Sequence, residues 1–119
     1  MAESTPPLAL SLQKDVRIVE FTDNKILDDA RISAIGQALA TLIAEAANPK
    51  LLLDFSNVQH LSSAALAMLI SANNEVRLKN GQLRLSDINP QIMEVFVITK
   101  LNRLFKILPT RSDALKSFQ

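Results

Sequence analysis

Two adjacent hydroxyls, Ser62 and Ser63, stand at a junction in the stretch "LLLDFSNVQHLSSAALAMLI" (51–70). An apolar run closes on Asp54, a polar loop holding His60 follows, and the serines open a second apolar run. A hydroxyl placed there has three chemistries open to it. It can cap a helix by accepting a bond from an orphan amide, which contributes about 1 kcal/mol. It can attack a carbonyl if a histidine and a carboxylate align it. It can also accept a phosphoryl group, which adds roughly −1.5 to −2 charges. One serine suffices for the cap. The other is left with a free hydroxyl in the first turn, where the C-terminal end of a strand meets the N-terminus of a helix.

Counting residues removes most catalytic readings. His60 is the sole histidine and shares a short loop with the serines, and a base so close in sequence rarely gains triad geometry. The acids Asp23, Asp28 and Asp29 could gather a divalent ion, yet their spacing matches no calcium loop. With no cysteine, thiol catalysis, thiolate metal sites and disulfides are excluded together. Gly36 and Gly81 are the only glycines, too few for a glycine-rich phosphate cradle. The expectation is a protein that is not an enzyme and holds no cofactor or metal.

The chain has 119 residues, 48% of them hydrophobic and 21% charged, values that suit one packed domain rather than disorder. Its core must be aliphatic, because there are five Phe and no Trp or Tyr. Platforms for stacking bases are therefore scarce. Thirteen Lys and Arg oppose twelve Asp and Glu, with no basic run to track a phosphate backbone. Direct nucleic-acid binding is not expected. Neither a signal-peptide pattern in "MAESTPPLAL" nor an apolar segment of membrane-spanning length is present, so a cytoplasmic location is expected.

The elements that position the serines are read from periodicity. Residues 1–7 form a flexible tail and 8–119 a single domain. Stretches 8–13 and 16–21 alternate apolar with polar positions and make strands, joined by a Lys14-Asp15 turn. Residues 22–30 are a loop carrying the three acids. Ile32, Ile35, Leu39, Leu42, Ile43 and Ala46 then recur at helical spacing, and the helix stops before Pro49. The continuous apolar run 51–55 reads as a buried central strand. A helix over 62–79 turns Ala65, Leu66, Leu69, Ala72 and Val76 inward and its asparagines outward, with Gly81 as left-handed cap. A strand at 82–88 precedes a helix with Asn89 as cap, Pro90 in the first position and a face of Ile92, Val95, Phe96 and Thr99. A strand at 104–108 and a helix at 112–118, capped by Ser112, close the chain. The order ββαβαβαβα implies an α/β fold, a mixed β-sheet of about five strands covered by about four helices.

The opening stretch resembles the signature of the STAS family of bacterial anti-sigma factor antagonists. There an apolar strand ends in Asp, and a loop leads to Asp-Ser-Ser/Thr-Gly-Leu at a helix start. "VRIVEF", "NGQLRLSDINPQIMEVFVITKLNRLFKI" and "DAL" also sit where that family has its elements, so the similarity covers nearly the whole chain. The resemblance implies a STAS-like fold and an anti-sigma factor antagonist that binds a serine-kinase anti-sigma factor, thereby controlling sigma-factor-dependent transcription. It further implies inactivation by phosphorylation and recovery through a metal-dependent serine phosphatase. Carried over by position, the phosphoacceptor is Ser63, with Ser62 as second candidate. Ser62 stands where the family has Asp, Ala64 where it has Ser or Thr, and Ala65 where it has Gly. Ala65 is therefore expected to place a methyl group where a partner approaches. Asp28 is the counterpart of an acid that the family carries before its first helix.

The expected partner surface comprises Asp23, Asn24, Asp28, Ser62, Ser63 and, on the polar side of the second helix, Asn73 and Asn74. A phosphate on Ser63 is partly offset within the domain by the helix dipole, about 0.3–1 kcal/mol. In a packed interface an unpaired charge costs about 2–5 kcal/mol. The alternative is a non-phosphorylated STAS interaction module that binds a protein partner or small ligand through the same rim. In that case Ser62 and Ser63 are only cap and surface.

Overall fold

The alternating segments at the start of the chain form a hairpin. In the computed structural model, which describes residues 8–118, β1 (Leu8–Gln13) and β2 (Val16–Phe21) pair antiparallel from Leu8–Phe21 to Gln13–Val16. Lys14 makes the turn at φ 57°. The tail at 1–7 lies outside the described residues. After the short strand β3 (Lys25–Ile26) come α1 (Asp29–Glu45), β4 (Lys50–Asp54), the short β5 (His60–Leu61) and α2 (Ser63–Leu78). The chain ends with β6 (Gln82–Ser86), α3 (Pro90–Ile98), a 3-10 turn (Leu101–Arg103), β7 (Lys106–Leu108) and α4 (Arg111–Lys116).

The main sheet has the order β1-β2-β4-β6-β7. Beyond the hairpin every neighbouring pair is parallel, because each later strand is reached through a crossover helix. Leu51 and Leu53 of β4 enter the larger core with Val19, Phe21 and Leu85, under Ile35 and Leu39 of α1 and Leu69 and Val76 of α2. Leu52 points to the opposite face, where it packs with Val16, Ile18 and Ala114 of α4. Cover on both faces is why this strand reads as an unbroken apolar run. Each of these leucines contributes about 1.5–3 kcal/mol by burial.

Several boundaries differ from the sequence expectation, each for a local reason. β6 stops at Ser86, not at 88, because Asp87 turns to φ 59°. β7 begins at Lys106 after the 3-10 turn, not at 104. α4 is capped by Thr110, whose Oγ1 accepts a bond from the Asp113 amide at 3.1 Å, instead of by Ser112. α3 starts as expected, with Asn89 Oδ1 accepting from the Ile92 amide at 2.9 Å and Pro90 in the first position. It buries only Ile92 and Phe96, leaving Val95 and Thr99 exposed. Among the described residues no helix is long and apolar enough to cross a membrane.

The end of α2 also departs from expectation. Asn80, not Gly81, takes the left-handed conformation, at φ 56°, which suits Asn among non-glycine residues. Gly81 is required for a different reason. Its amide donates to the Val76 carbonyl at 2.8 Å, and the backbone passes so close to Pro49 that a Cβ would strike the Pro49 carbonyl oxygen. That Cβ would also lie 2.8 Å from Pro49 Cγ and 2.9 Å from Val76 Cγ1. Gly81→Ala should therefore destabilise the domain by about 1–3 kcal/mol through overpacking, read as a lower urea midpoint at unchanged m-value.

Candidate functional site

The loops at the C-terminal ends of β2 and β4 are tied together by a feature too short to show a period. β3 and β5 form a separate two-stranded parallel sheet, with Lys25 beside His60 and Ile26 beside Leu61. The Asn24 carbonyl accepts from the amides of Gln59 at 2.7 Å and His60 at 3.1 Å, and the Ser62 amide donates to the Ile26 carbonyl at 3.1 Å. This strap holds the loop bearing Asp23, Asn24 and Asp28 against the start of α2. Five of the seven expected partner residues thus lie along one rim: Asp23, Asn24, Asp28, Ser62 and Ser63.

The two serines have different work. Ser62 is the N-cap of α2, with extended backbone (φ −84°, ψ 166°) and its Oγ accepting from the Ala65 amide at 3.1 Å. Its carbonyl accepts from Leu66 at 3.1 Å. Side chain and backbone are both engaged, and the residue is half-buried. Ser63 is the first residue of the helix and is exposed, and its hydroxyl has no hydrogen-bond partner among the described residues. Ala65 is completely buried in the core. Its methyl group lies inside the larger core and is not open to an approaching partner, contrary to the expectation from its place in the motif.

The acids of the rim are occupied within the domain. Asp23 receives a two-pronged interaction from Arg31, Nε to Oδ2 at 2.8 Å and Nη2 to Oδ1 at 2.9 Å. The hydrogen bond from Arg31 to Asp23 raises the guanidinium pKa above its ordinary value despite some desolvation. Asp28 caps α1, accepting from the Arg31 amide at 3.1 Å. Among the described residues no group of three or more His, Cys, Asp or Glu could hold a metal ion. His60 is exposed on β5 and makes no hydrogen bond to a carboxylate among the described residues.

The asparagine pair does not belong to this rim. Asn73 and Asn74 lie about 15 Å further along the axis of α2, at 1.5 Å per residue. Asn74 is exposed, but Asn73 is 5% exposed and its Nδ2 has no partner. The helical repeat explains the reversal. Position 73 is four residues beyond Leu69 and three before Val76, both in the core, so it falls on the buried stripe.

A charged cluster that the sequence reading missed sits at the ends of β2 and β4. Asp54 is 3% exposed. Its Oδ2 accepts from Arg111 Nε at 2.8 Å and lies 2.6 Å from Nη2, while Oδ1 accepts from the Ser56 amide at 2.8 Å. Arg111 also donates to Glu20 at 3.1 Å, and Asn57 Nδ2 donates to Glu20 and to the Phe21 carbonyl at 3.0 and 3.2 Å. Burial alone would lower the Arg111 pKa, but the hydrogen bonds and charges of Asp54 and Glu20 raise it. The signal in the sequence was an acid closing a buried strand, which needs a cation. Nothing local identified Arg111, 57 positions away.

Two expectations follow from this geometry. Ser62→Ala should cost about 1 kcal/mol and Ser63→Ala no more than about 0.5 kcal/mol, compared by urea denaturation. Arg111→Met should cost about 2–3 kcal/mol, below the roughly 3–5 of a fully enclosed pair because Arg111 is partly exposed. Adding Asp54→Asn should recover part of that loss in a double-mutant cycle.

Over 70 residues, the chain is 27% identical to BtrV of Bordetella bronchiseptica, a candidate anti-sigma factor antagonist. The match takes in 59% of this chain and 60% of that protein's length. An anti-sigma factor antagonist from Mycobacterium paratuberculosis superposes with a TM-score of 0.80 at 24% identity, covering 97% of each chain. The anti-sigma factor antagonist SpoIIAA of Bacillus, solved unphosphorylated and phosphorylated, is similar in fold. Its unphosphorylated form gives a TM-score of 0.70 at 15% identity, covering 92% of this chain and 94% of that one. The profile of the STAS domain matches residues 9–114. This chain belongs to the STAS domain family.

Proposed function

We propose that the protein is an anti-sigma factor antagonist whose rim at the start of α2 binds a serine-kinase anti-sigma factor and is switched by phosphorylation of Ser63. The observation that carries this reading is the division of labour between the serines. Ser62 is engaged by the cap and by bonds to Ile26 and Leu66, whereas the exposed Ser63 hydroxyl, at the positive end of a 16-residue helix, is unengaged among the described residues. A phosphate there faces the helix dipole, which offsets part of its charge, so the domain stays folded. A partner packed over the rim then meets an unpaired charge costing about 2–5 kcal/mol, or about 30- to several-thousand-fold in affinity.

On this reading Asp23, Asn24 and Asp28 flank the acceptor and complete the contact surface. A metal-dependent serine phosphatase reverses the modification. The protein acts in the cytoplasm by binding rather than by catalysis, and it makes no direct contact with nucleic acid.

One observation favours a second reading, a STAS module that binds a protein or small ligand without being phosphorylated. Ser62 stands where the family motif has an acid, and Asp23 and Asp28 are both engaged inside the domain. The two rim acids proposed as partner contacts are thus already held by Arg31. The protein isolated from its own cells should carry phosphate on Ser63, mapped by tandem mass spectrometry, and Ser63→Asp should abolish capture of the kinase that Ser63→Ala retains. Absence of phosphate at Ser62 and Ser63, with partner capture indifferent to Ser63→Asp, would leave the second reading standing.

A further inference from the structure

The five-stranded sheet has two edges of opposite construction. β7 is three residues long, begins at Lys106 and is followed by Pro109, and short length, lysine and proline all discourage pairing with another chain. β1 is six residues long, "LALSLQ", with neither charge nor proline and with unbroken register against β2. Its outer edge has no strand partner among the described residues. Leu8 lies opposite Phe21 and Leu10 opposite Val19, so the leucines of β1 share the face of the larger core. Leu8 is buried there, but Leu10 and Leu12 are 54% and 65% exposed. Among the described residues the result is a sheet edge without a strand partner, flanked by the exposed Leu10 and Leu12.

We propose that β1 is a self-association edge. Two copies pair β1 with β1 antiparallel about a two-fold axis normal to the sheet, joining two five-stranded sheets into one of ten strands. A second copy fits for reasons of symmetry and charge. Rotation about the sheet normal leaves each face where it was, so a residue can meet only residues of its own face, those whose number has the same parity. The two registers that pair five residues of each strand both set leucine against leucine: Leu10 against the second copy's Leu10, or against its Leu12. Because the strand is uncharged, two identical copies place no like charges opposite each other. The contact is isologous and closes on itself as a dimer. One strand pair and its leucines fall well short of the roughly 2,000–5,000 Å² of a permanent interface, so the dimer is reversible and concentration-dependent.

Sedimentation equilibrium of the full chain, from roughly 1 μM to 1 mM, should show a monomer–dimer equilibrium. The double variant Leu10→Lys/Leu12→Lys should raise the dissociation constant at least about tenfold by bringing like charges together. Its circular dichroism and melting should be unchanged, since both side chains already face solvent. The chain lacks cysteine, so a single introduced thiol reports proximity. Oxidation should link Leu10→Cys or Ser11→Cys into disulfide dimers, according to register, but not Leu78→Cys on the exposed side of α2. A monomer throughout the range, or a dimer that survives the lysine pair, overturns the proposal. So does a dimer that forms only after residues 1–7 are deleted, which would make that segment the occupant of the edge.

Discussion

Asp54 closes the central strand with a carboxylate that water scarcely reaches, and removing such a group from water unpaired costs several kcal/mol. The fold answers with Arg111, the first residue of α4. Where the pair forms therefore decides where α4 begins. That helix covers Val16, Ile18 and Leu52 on the second face of the sheet, so the smaller core depends on the same contact. The other carboxylate oxygen accepts from the Ser56 amide, which directs the chain out of β4 and toward β5. Glu20 and Asn57 extend the cluster to β2 and its following loop. One buried charge thereby coordinates the end of the central strand, the helix on the far face and the departure of the loop that leads to the serines.

From that loop the rim is assembled by backbone bonds. The β3–β5 strap fixes Ser62 through its amide before its side chain caps α2. Ser62 is thus engaged at amide, carbonyl and hydroxyl, and its hydroxyl oxygen already serves the start of α2. Ser63, one step along, is exposed and its hydroxyl makes no hydrogen bond among the described residues. Position within the first turn, more than residue type, separates two chemically identical neighbours.

Much of this architecture was legible because it rests on periodicity. The hairpin, the helical stripe from Ile32 to Ile43, the apolar run of β4 and the Asn89-Pro90 helix start each follow from local spacing, and each formed. β3 and β5, with two residues apiece, are too short to carry a period and exist only because the two loops meet. Arg111 could not be paired with Asp54 from sequence, because the partner is selected by the closed fold. At Asn73 two local signals conflict: polarity points outward, whereas helical phase against Leu69 and Val76 points inward, and phase prevails. At the end of α2, Gly81 serves close approach to Pro49 and not conformational freedom, while Asn80 supplies the left-handed turn.

Ser62 also bears on what the loss of the motif acid means. Asp and Ser are comparable N-caps, so serine at this position keeps the hydrogen bond to Ala65 and the start of α2 intact. What disappears is a negative charge one residue from Ser63. Two anions side by side repel, and without the acid a phosphate on Ser63 would have the positive helix end to itself. If Ser63 is phosphorylated as proposed, serine at 62 would spare the modified domain a repulsive neighbour while keeping the cap of the unmodified one. If that acid assists transfer in related proteins, its absence slows phosphorylation yet stabilises the product. The two effects act on different quantities, the rate of modification and the energy of the modified domain, and a comparison of Ser62 with Ser62→Asp separates them: a kinase assay reads the first, and melting of the phosphorylated domain reads the second.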